Sequence, residues 1–309
     1  METSLAPSPS VRSAFARLVD YAGLFPPAQL SLAQATTEYR EARRGAHAWM
    51  LGRFIIPAST LTSASQPGGG PFSVILDGGS DAAAWLESIG SRVAALAVLR
   101  AKGVAIEALE VYLPAAFSAD RALDEPLQRL RELLESAKLS DLAVYVEFAR
   151  RGPWKAVLER AMAAAVHAGC GAKLRCGGLT AEAFPSVDEV AGFIAAAVTA
   201  RVPFKATAGL HHPVRHYNAQ SGFIMHGFLN ILAAAALAPR VGLETLQAVV
   251  AEEDPSAFHF EAAALRWRDQ RIDVQELEAC RCGAFVAYGS CSFSEPIEDL
   301  TALGILSAR

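Results

Sequence analysis

Several features that identify whole classes of protein are missing from this sequence. It has no excess of charge, since 28 Lys and Arg oppose 32 Asp and Glu for a net charge of −4. This balance gives no electrostatic reason to expect nucleic acid or an anionic membrane as a partner. The first residues contain no basic segment followed by an apolar run, so no signal peptide is expected. We therefore expect a cytoplasmic protein that binds a small molecule, and the sequence leaves homo-oligomer formation open.

Cysteine is scarce, and its spacing fits neither disulfides nor zinc. The five residues are Cys170, Cys176, Cys280, Cys282 and Cys291. An odd number without a secretory signal favours reduced thiols. The pair at 280 and 282 is separated by one residue, and no second pair faces it, so a structural zinc site is not expected.

Two further signatures are missing. No G-x-G-x-x-G follows an early strand, so an open doubly wound sheet for a dinucleotide, the second choice of fold, lacks its fingerprint. The longest uncharged stretch, 219–239, contains Gln220, Ser221, His226 and Asn230. Those polar residues favour a buried helix over a membrane span.

Apolar β-rich segments alternate with alanine-rich helical segments along the whole chain. The predicted strands are 17–21, 53–57, 73–77, 106–113, 142–148, 173–176, 203–207 and 285–290. The predicted helices are 32–44, 81–102, 121–138, 154–168, 187–200 and 222–237. Strict alternation implies parallel strands, and eight such units in about 300 residues predict a (β/α)8 TIM barrel.

We expect one barrel domain over 17–309, preceded by a disordered leader over 1–16. A helical and hairpin segment is expected to be inserted before the last strand, with 258–267 as the hairpin. Were 258–267 a barrel strand, 17–21 would leave the barrel.

Charged residues occupy inward positions of four consecutive predicted strands. Side chains of a barrel strand alternate, and the outward ones must be apolar to meet the helices. This alternation turns inward Glu110, Glu147, Lys173 with Arg175, and Lys205. A core filled for stability alone would carry Val, Ile and Leu there. The pattern favours a catalytic cavity at the C-terminal strand ends, with a structural ion network as the alternative.

The two buried lysines suggest covalent chemistry. Burial disfavours an ammonium group, and two lysines on neighbouring strands disfavour each other's charge. A neutral amine is what Schiff-base catalysis needs. The alternative is a pair of lysines whose charges are neutralised by buried glutamates. We therefore expect Lys173 to be the nucleophile, with Lys205 tuning it. Glu110 and Glu147 would move protons, and Arg175 would hold an anionic group of the substrate.

The order of motifs resembles deoxyribose-phosphate aldolase and its class I, Schiff-base-forming aldolase relatives. The matching segments are Leu18-Val-Asp-Tyr-Ala-Gly-Leu-Phe-Pro26, Glu107-Ala-Leu-Glu-Val-Tyr112, Tyr145-Val-Glu147, His167-Ala-Gly-Cys-Gly-Ala-Lys173, Phe204-Lys-Ala-Thr-Ala-Gly209 and Tyr288-Gly-Ser-Cys-Ser292. The segment 211–271 has no counterpart in this comparison.

The resemblance implies a lyase that acts on a small carbonyl compound without a cofactor or metal. It implies that Lys173 forms the Schiff base and that Lys205 is the second lysine of the site. It also implies substrate-binding roles for Asp20, Gly209, Ser290 and Ser292, the last two in a glycine- and serine-rich loop that resembles a phosphate loop.

Histidines following the second lysine strand raise two competing hypotheses. His211 and His212 are expected to bind substrate or to act as acid and base. They could instead join Glu110 and Glu147 in a metal-dependent lyase or hydrolase. We expect His212 and His216 to meet only if their loop is helical, which Pro213 disfavours. A non-catalytic barrel that binds an anionic metabolite is the third reading.

Overall fold

Eight parallel strands form a closed barrel in the computed structural model of the chain. The structure describes residues 6–64, 69–79, 81–114, 117, 123–150, 154–178, 180–219 and 221–307. The barrel strands are β1 (Val19–Tyr21), β2 (Leu51–Pro57), β3 (Phe72–Ile75), β4 (Ile106–Leu113), β5 (Ala143–Phe148), β6 (Gly171–Arg175), β7 (Phe204–Thr207) and, after five strands outside the barrel, β13 (Phe285–Ser290). They follow the order β1 to β7, and β13 closes the barrel between β7 and β1. The predicted TIM barrel is confirmed.

Helices surround the barrel, as the alternation of segments predicts. They are α1 (Pro9–Phe15), α2 (Leu32–Ala42), α3 (Ala58–Ser63), α4 (Ala82–Ala101), α5 (Asp124–Ser136), α6 (Trp154–His167), α7 (Val187–Thr199), α8 (Phe228–Leu237), α9 (Leu243–Ala251), α10 (Val274–Gly283) and α11 (Ser294–Ala302). The start of α8 differs from the expected residue 222, because residues 223–225 pair as a strand first.

Part of the expected disordered leader is helical. Residues 1–5 lie outside the described residues, but α1 occupies Pro9–Phe15. The Ser8 hydroxyl accepts a hydrogen bond from the Val11 amide, and a proline lies in the first turn. Both features favour a helix start. Val11 and Phe15 are buried, so their apolar contacts stabilise a segment that composition alone did not assign to the fold.

The long segment between β7 and β13 carries small antiparallel sheets as well as helices. A hairpin joins β8 (His216–Asn218) to β9 (Phe223–Met225). After α8 and α9, a three-stranded sheet contains β10 (Phe258–Glu261), β11 (Ala264–Trp267) and β12 (Gln270–Asp273). Because this sheet is separate from the barrel, β1 keeps its place there.

One described helix, α4, is long and apolar enough by composition to cross a membrane. In this fold it is an outer helix of the barrel. Its side chains Trp85, Ile89, Val93 and Leu96 repeat at helical spacing and are buried. The same apolar character therefore serves to pack the helix against the fold.

Candidate active site

The two lysines lie side by side inside the barrel. β6 and β7 pair in parallel with Lys173 opposite Lys205. Their neighbours Leu174 and Ala206 are buried on the other face of these strands, as the alternation predicts. The lysine side chains contact residues of strands that are not adjacent to their own, which places their contacts across the barrel interior.

A single buried carboxylate joins the two amines. Glu110 lies 2.8 Å from the Nζ of Lys173 through one oxygen and 2.5 Å from the Nζ of Lys205 through the other. The hydroxyl of Ser73 donates to Glu110 at 2.7 Å and accepts from Lys205 at 3.1 Å. Glu110 is 1% exposed and Ser73 is fully buried. The carboxylate is therefore held by three side chains from three strands.

Asp20 is a second carboxylate partner of Lys205, on the side away from the mouth of the barrel. One of its oxygens lies 2.5 Å from the Nζ of Lys205. The other accepts a hydrogen bond of 2.6 Å from the backbone amide of Arg53, whose guanidinium also contacts Glu107 at 3.1 Å. Asp20, which resemblance alone had assigned to substrate binding, thus lies in direct contact with Lys205.

Glu147 and Arg175 extend the network toward the mouth. Glu147 lies 3.3 Å from the Nζ of Lys173, and its other oxygen accepts a hydrogen bond of 2.6 Å from the Nε of Arg175. The Arg175 side chain is 48% exposed, compared with 7% for Lys173. Alternating charges therefore run from Asp20 in the interior to Arg175 at the C-terminal ends of the strands, where active sites of this fold lie.

Lys205 and Glu110 hold each other in the ionised form. Burial alone would lower the pKa of Lys205, but the carboxylates of Asp20 and Glu110 raise it above its usual value. Burial would raise the pKa of Glu110, yet Lys173 and Lys205 lower it well below its usual range. Lys205 is thus an ammonium group, in contrast to the mutual loss of charge that the sequence suggested, because carboxylates outweigh the neighbouring amine.

Glu147 is ionised for a related reason. Burial would raise its pKa, but Lys173 and Arg175 together lower it. A carboxylate in this state accepts protons and does not donate them at neutral pH. Glu110 and Glu147 were both expected to move protons, and of these two Glu147 borders a cavity at the C-terminal ends of the strands.

A cavity of about 220 Å³ opens at the C-terminal ends of β5 and β6. Lys173, Glu147 and Arg175 are among the residues that line it, and Lys205 is not. Lys205 is 1% exposed. The two amines therefore differ in access, since only Lys173 borders a space that a ligand can enter.

The network makes the free energy of unfolding depend on pH. The pKa of Glu110 and that of Glu147 are lower in the folded protein than their usual 4.5. Below about pH 4.5 the unfolded chain binds more protons, so stability should fall as pH falls. We expect Glu110→Gln to reduce this acid slope, whereas Glu135→Gln, on the exposed face of α5, should keep it. Urea unfolding between pH 3 and pH 7 measures the slope, and equal slopes for the two variants would contradict this assignment.

The histidine loop lies beside the last strand and α11. His211 Nδ1 is 3.3 Å from Glu295 and 3.8 Å from the sulfur of Cys291. Burial lowers the pKa of His211, more than the nearby Glu295 raises it. His212 Nδ1 lies 2.6 Å from Asp299. These contacts are with the β13–α11 region and not with either lysine.

The expectation for the histidine rings was wrong in one respect. The rings of His212 and His216 lie 4.5 Å apart and perpendicular to each other, although the loop is not helical. The chain bends at residues 212–214 and enters β8 at His216, and the two rings lie together across this bend. Among the described residues, no three His, Cys, Asp or Glu side chains are grouped so that they could hold a metal ion.

The remaining residues assigned by resemblance lie at the same end of the barrel, Ser290 as the last residue of β13 and Gly209 and Ser292 in the segments that follow β7 and β13. Gly209 has φ +69°, and an added Cβ would lie 3.2 Å from Gly177, so a side chain there would be strained. Ser290 is fully buried. Ser292 accepts a hydrogen bond of 3.2 Å from the amide of Glu295 at the start of α11. Gly209 therefore shapes the loops, and the Ser292 hydroxyl holds the start of a helix.

Sequence reasoning missed Ser73 as a member of the site. Its signal was present, because a serine between Phe72 and Val74 is the polar member of an otherwise apolar strand. The alternation that turned Glu110 inward would have turned Ser73 inward as well. Its contact with Lys205 required knowledge of how β3 and β7 face each other across the barrel.

The comparisons with known proteins found structural likeness to solved proteins and no match in sequence. No model of a protein family matches the chain, and no curated protein sequence matches it. Among solved structures, the chain is similar to the deoxyribose phosphate aldolase from Aeropyrum pernix, which has a tetrameric structure. The identity is 12% and the TM-score is 0.47, over 94% of this chain and 93% of that chain. The strand order by itself defines a (β/α)8 barrel.

Proposed function

We propose that this protein is a lyase of the aldolase type, which forms a Schiff base between Lys173 and a small carbonyl compound. One observation carries the proposal. Two lysines share a buried carboxylate, and only Lys173 borders a cavity. A structural ion network would need no open space at one end, and it would gain little over apolar packing. The sequence motifs shared with Schiff-base aldolases support the same reading.

The carboxylates beside Lys173 are not its partners alone. Its two carboxylate partners are each shared with another cation, Glu110 with Lys205 and Glu147 with Arg175. Sharing reduces the negative charge that each carboxylate offers to Lys173. The Lys205 ammonium, fixed between Asp20 and Glu110, adds a permanent positive charge nearby. We propose that this charge is the role of Lys205.

The proposed reaction begins when the neutral amine of Lys173 attacks the carbonyl carbon. The π-electron pair moves to oxygen, which takes one proton from the attacking nitrogen and a second from solvent and leaves as water, giving a protonated imine. For cleavage, a base removes the proton of a hydroxyl on the β-carbon. The electrons of that O–H bond form the carbonyl of the departing aldehyde, and those of the broken carbon–carbon bond reach the imine nitrogen. We assign the base to Glu147, which is ionised and borders the cavity.

Reductive trapping tests this proposal. Acetaldehyde or pyruvate with borohydride should add the mass of one reduced adduct to the intact protein. Lys173→Met should prevent the addition, because the three lysines outside the barrel, Lys102, Lys138 and Lys155, are exposed and do not line the cavity. Lys155→Met serves as the matched control and should be modified like the parent protein. An unmodified parent protein, across a panel of aldehydes and ketones, would contradict the Schiff base.

A further inference from the structure

The cavity beside Lys173 carries more positive than negative side chains. Its lining includes the cations Lys173, Arg175 and Arg150 and the carboxylates Glu147 and Glu182. Glu147 is already paired with Lys173 and Arg175, while Glu182 is exposed at the rim. The lining side chains therefore carry one more positive than negative charge, and Lys173 and Arg150 also pair with Glu110 and Glu189, which lie outside the lining.

Arg175 lies on the same strand as Lys173. Arg175 lies two residues beyond Lys173 on β6, on the same face of the strand, which puts it about 7 Å farther toward the mouth. Its bond to Glu147 uses Nε, and its two terminal nitrogens form no hydrogen bond to the described part of the chain. Guanidinium nitrogens in this state are suited to bind a carboxylate or phosphate with two hydrogen bonds.

Arg150 approaches the same space from the end of β5. It contacts Glu189 at 3.1 Å and also donates to the backbone carbonyl of Glu182, so its side chain is held in place. Its side chain is 21% exposed. A fixed, partly buried guanidinium loses little conformational entropy when it binds an anion.

We infer that the substrate is a short carbonyl compound with an anionic group, and that Arg175 and Arg150 bind this group while the carbonyl faces Lys173. This inference rests on the proposed function for the position of the carbonyl. The cavity of about 220 Å³ is smaller than the roughly 300–1,000 Å³ of sites for drug-sized ligands, which restricts the compound to a few carbon atoms. The anion site lies at β5 and β6, away from the serine loop after β13.

Compounds without a carbonyl test the anion site separately from Schiff-base formation. We would measure calorimetric binding of lactate, glycerol 3-phosphate and glycerol to the full chain. Lactate or glycerol 3-phosphate should bind, glycerol should not bind measurably, and the tighter anion identifies carboxylate or phosphate. Arg175→Gln and Arg150→Gln should each weaken anion binding about tenfold or more, since a lost charge-assisted hydrogen bond costs roughly 1.5–3 kcal/mol.

Two controls make the outcome decisive. Arg100→Gln removes a guanidinium that pairs with Asp141 far from the cavity, and it should leave binding unchanged. Ser292→Ala tests the alternative loop, and it should also leave binding unchanged. Anion binding that is undetectable, that survives both Arg175→Gln and Arg150→Gln, or that depends on Ser292 instead would overturn the inference. None of these results would affect trapping at Lys173, which judges the proposed function alone.

Discussion

Replacing Lys205 by methionine should destabilise the fold by about 3–5 kcal/mol, because removal of one partner leaves buried charges without compensation. Asp20 and Glu110 both depend on this ammonium group, and all three side chains are at most 1% exposed. Methionine has a similar length, so a cavity contributes little to the loss. Urea unfolding at pH 7 measures the effect.

A second substitution separates charge from packing. Adding Asp20→Asn to Lys205→Met removes one of the two stranded carboxylates, so part of the lost stability should return. Lys155→Met, at an exposed position on α6, should change the free energy of unfolding by less than about 0.5 kcal/mol. A loss below 1 kcal/mol for Lys205→Met would mean that the buried ion network is not held together as described.

Replacing Lys173 by methionine should abolish catalysis that passes through an imine. An imine converts to an enamine by losing an α-hydrogen, so the parent protein should exchange the α-hydrogens of pyruvate or acetaldehyde with deuterium. Without the nucleophile the rate should fall roughly 10⁴-fold or more, as it does when other covalent catalysts lose theirs. Proton NMR in heavy water follows the exchange directly.

The variant Glu147→Gln shows whether the loss of exchange is specific to the nucleophile. It keeps Lys173 but removes the proposed base, and we expect a smaller loss of about 10²- to 10⁴-fold. Thermal unfolding of both variants shows whether the protein remains folded. Exchange by Lys173→Met at the rate of the parent protein would remove Lys173 from the mechanism, whatever the other variant does.

Local alternation predicted much of the site because it depends on neighbours in sequence. In β4 to β7 the apolar residues alternate with Glu110, Glu147, Lys173 and Lys205, and these charged side chains do meet. The closed parallel barrel likewise follows from alternating segments.

Contacts that depend on how the barrel closes could not be predicted in this way. Asp20 reaches Lys205 only because β13 brings β1 near β7. That contact explains why the pKa of Lys205 is raised, because the carboxylates of Asp20 and Glu110 together favour its ammonium form. The rings of His212 and His216 lie together for a similar reason. A bend in the chain and the pairing of β8 bring this about, and composition specifies neither.

The measurement that tests the central claim most directly is the position of the trapped adduct. The chain contains five lysines, at 102, 138, 155, 173 and 205. After borohydride reduction with pyruvate or acetaldehyde, digestion with a protease that does not cut at lysine, followed by mass spectrometry, assigns the adduct to one of them. We predict that it lies on Lys173, and that Lys205 is unmodified because it is sealed in the barrel as an ammonium group. An adduct on Lys205, or adducts spread over the exposed lysines alone, would contradict the account.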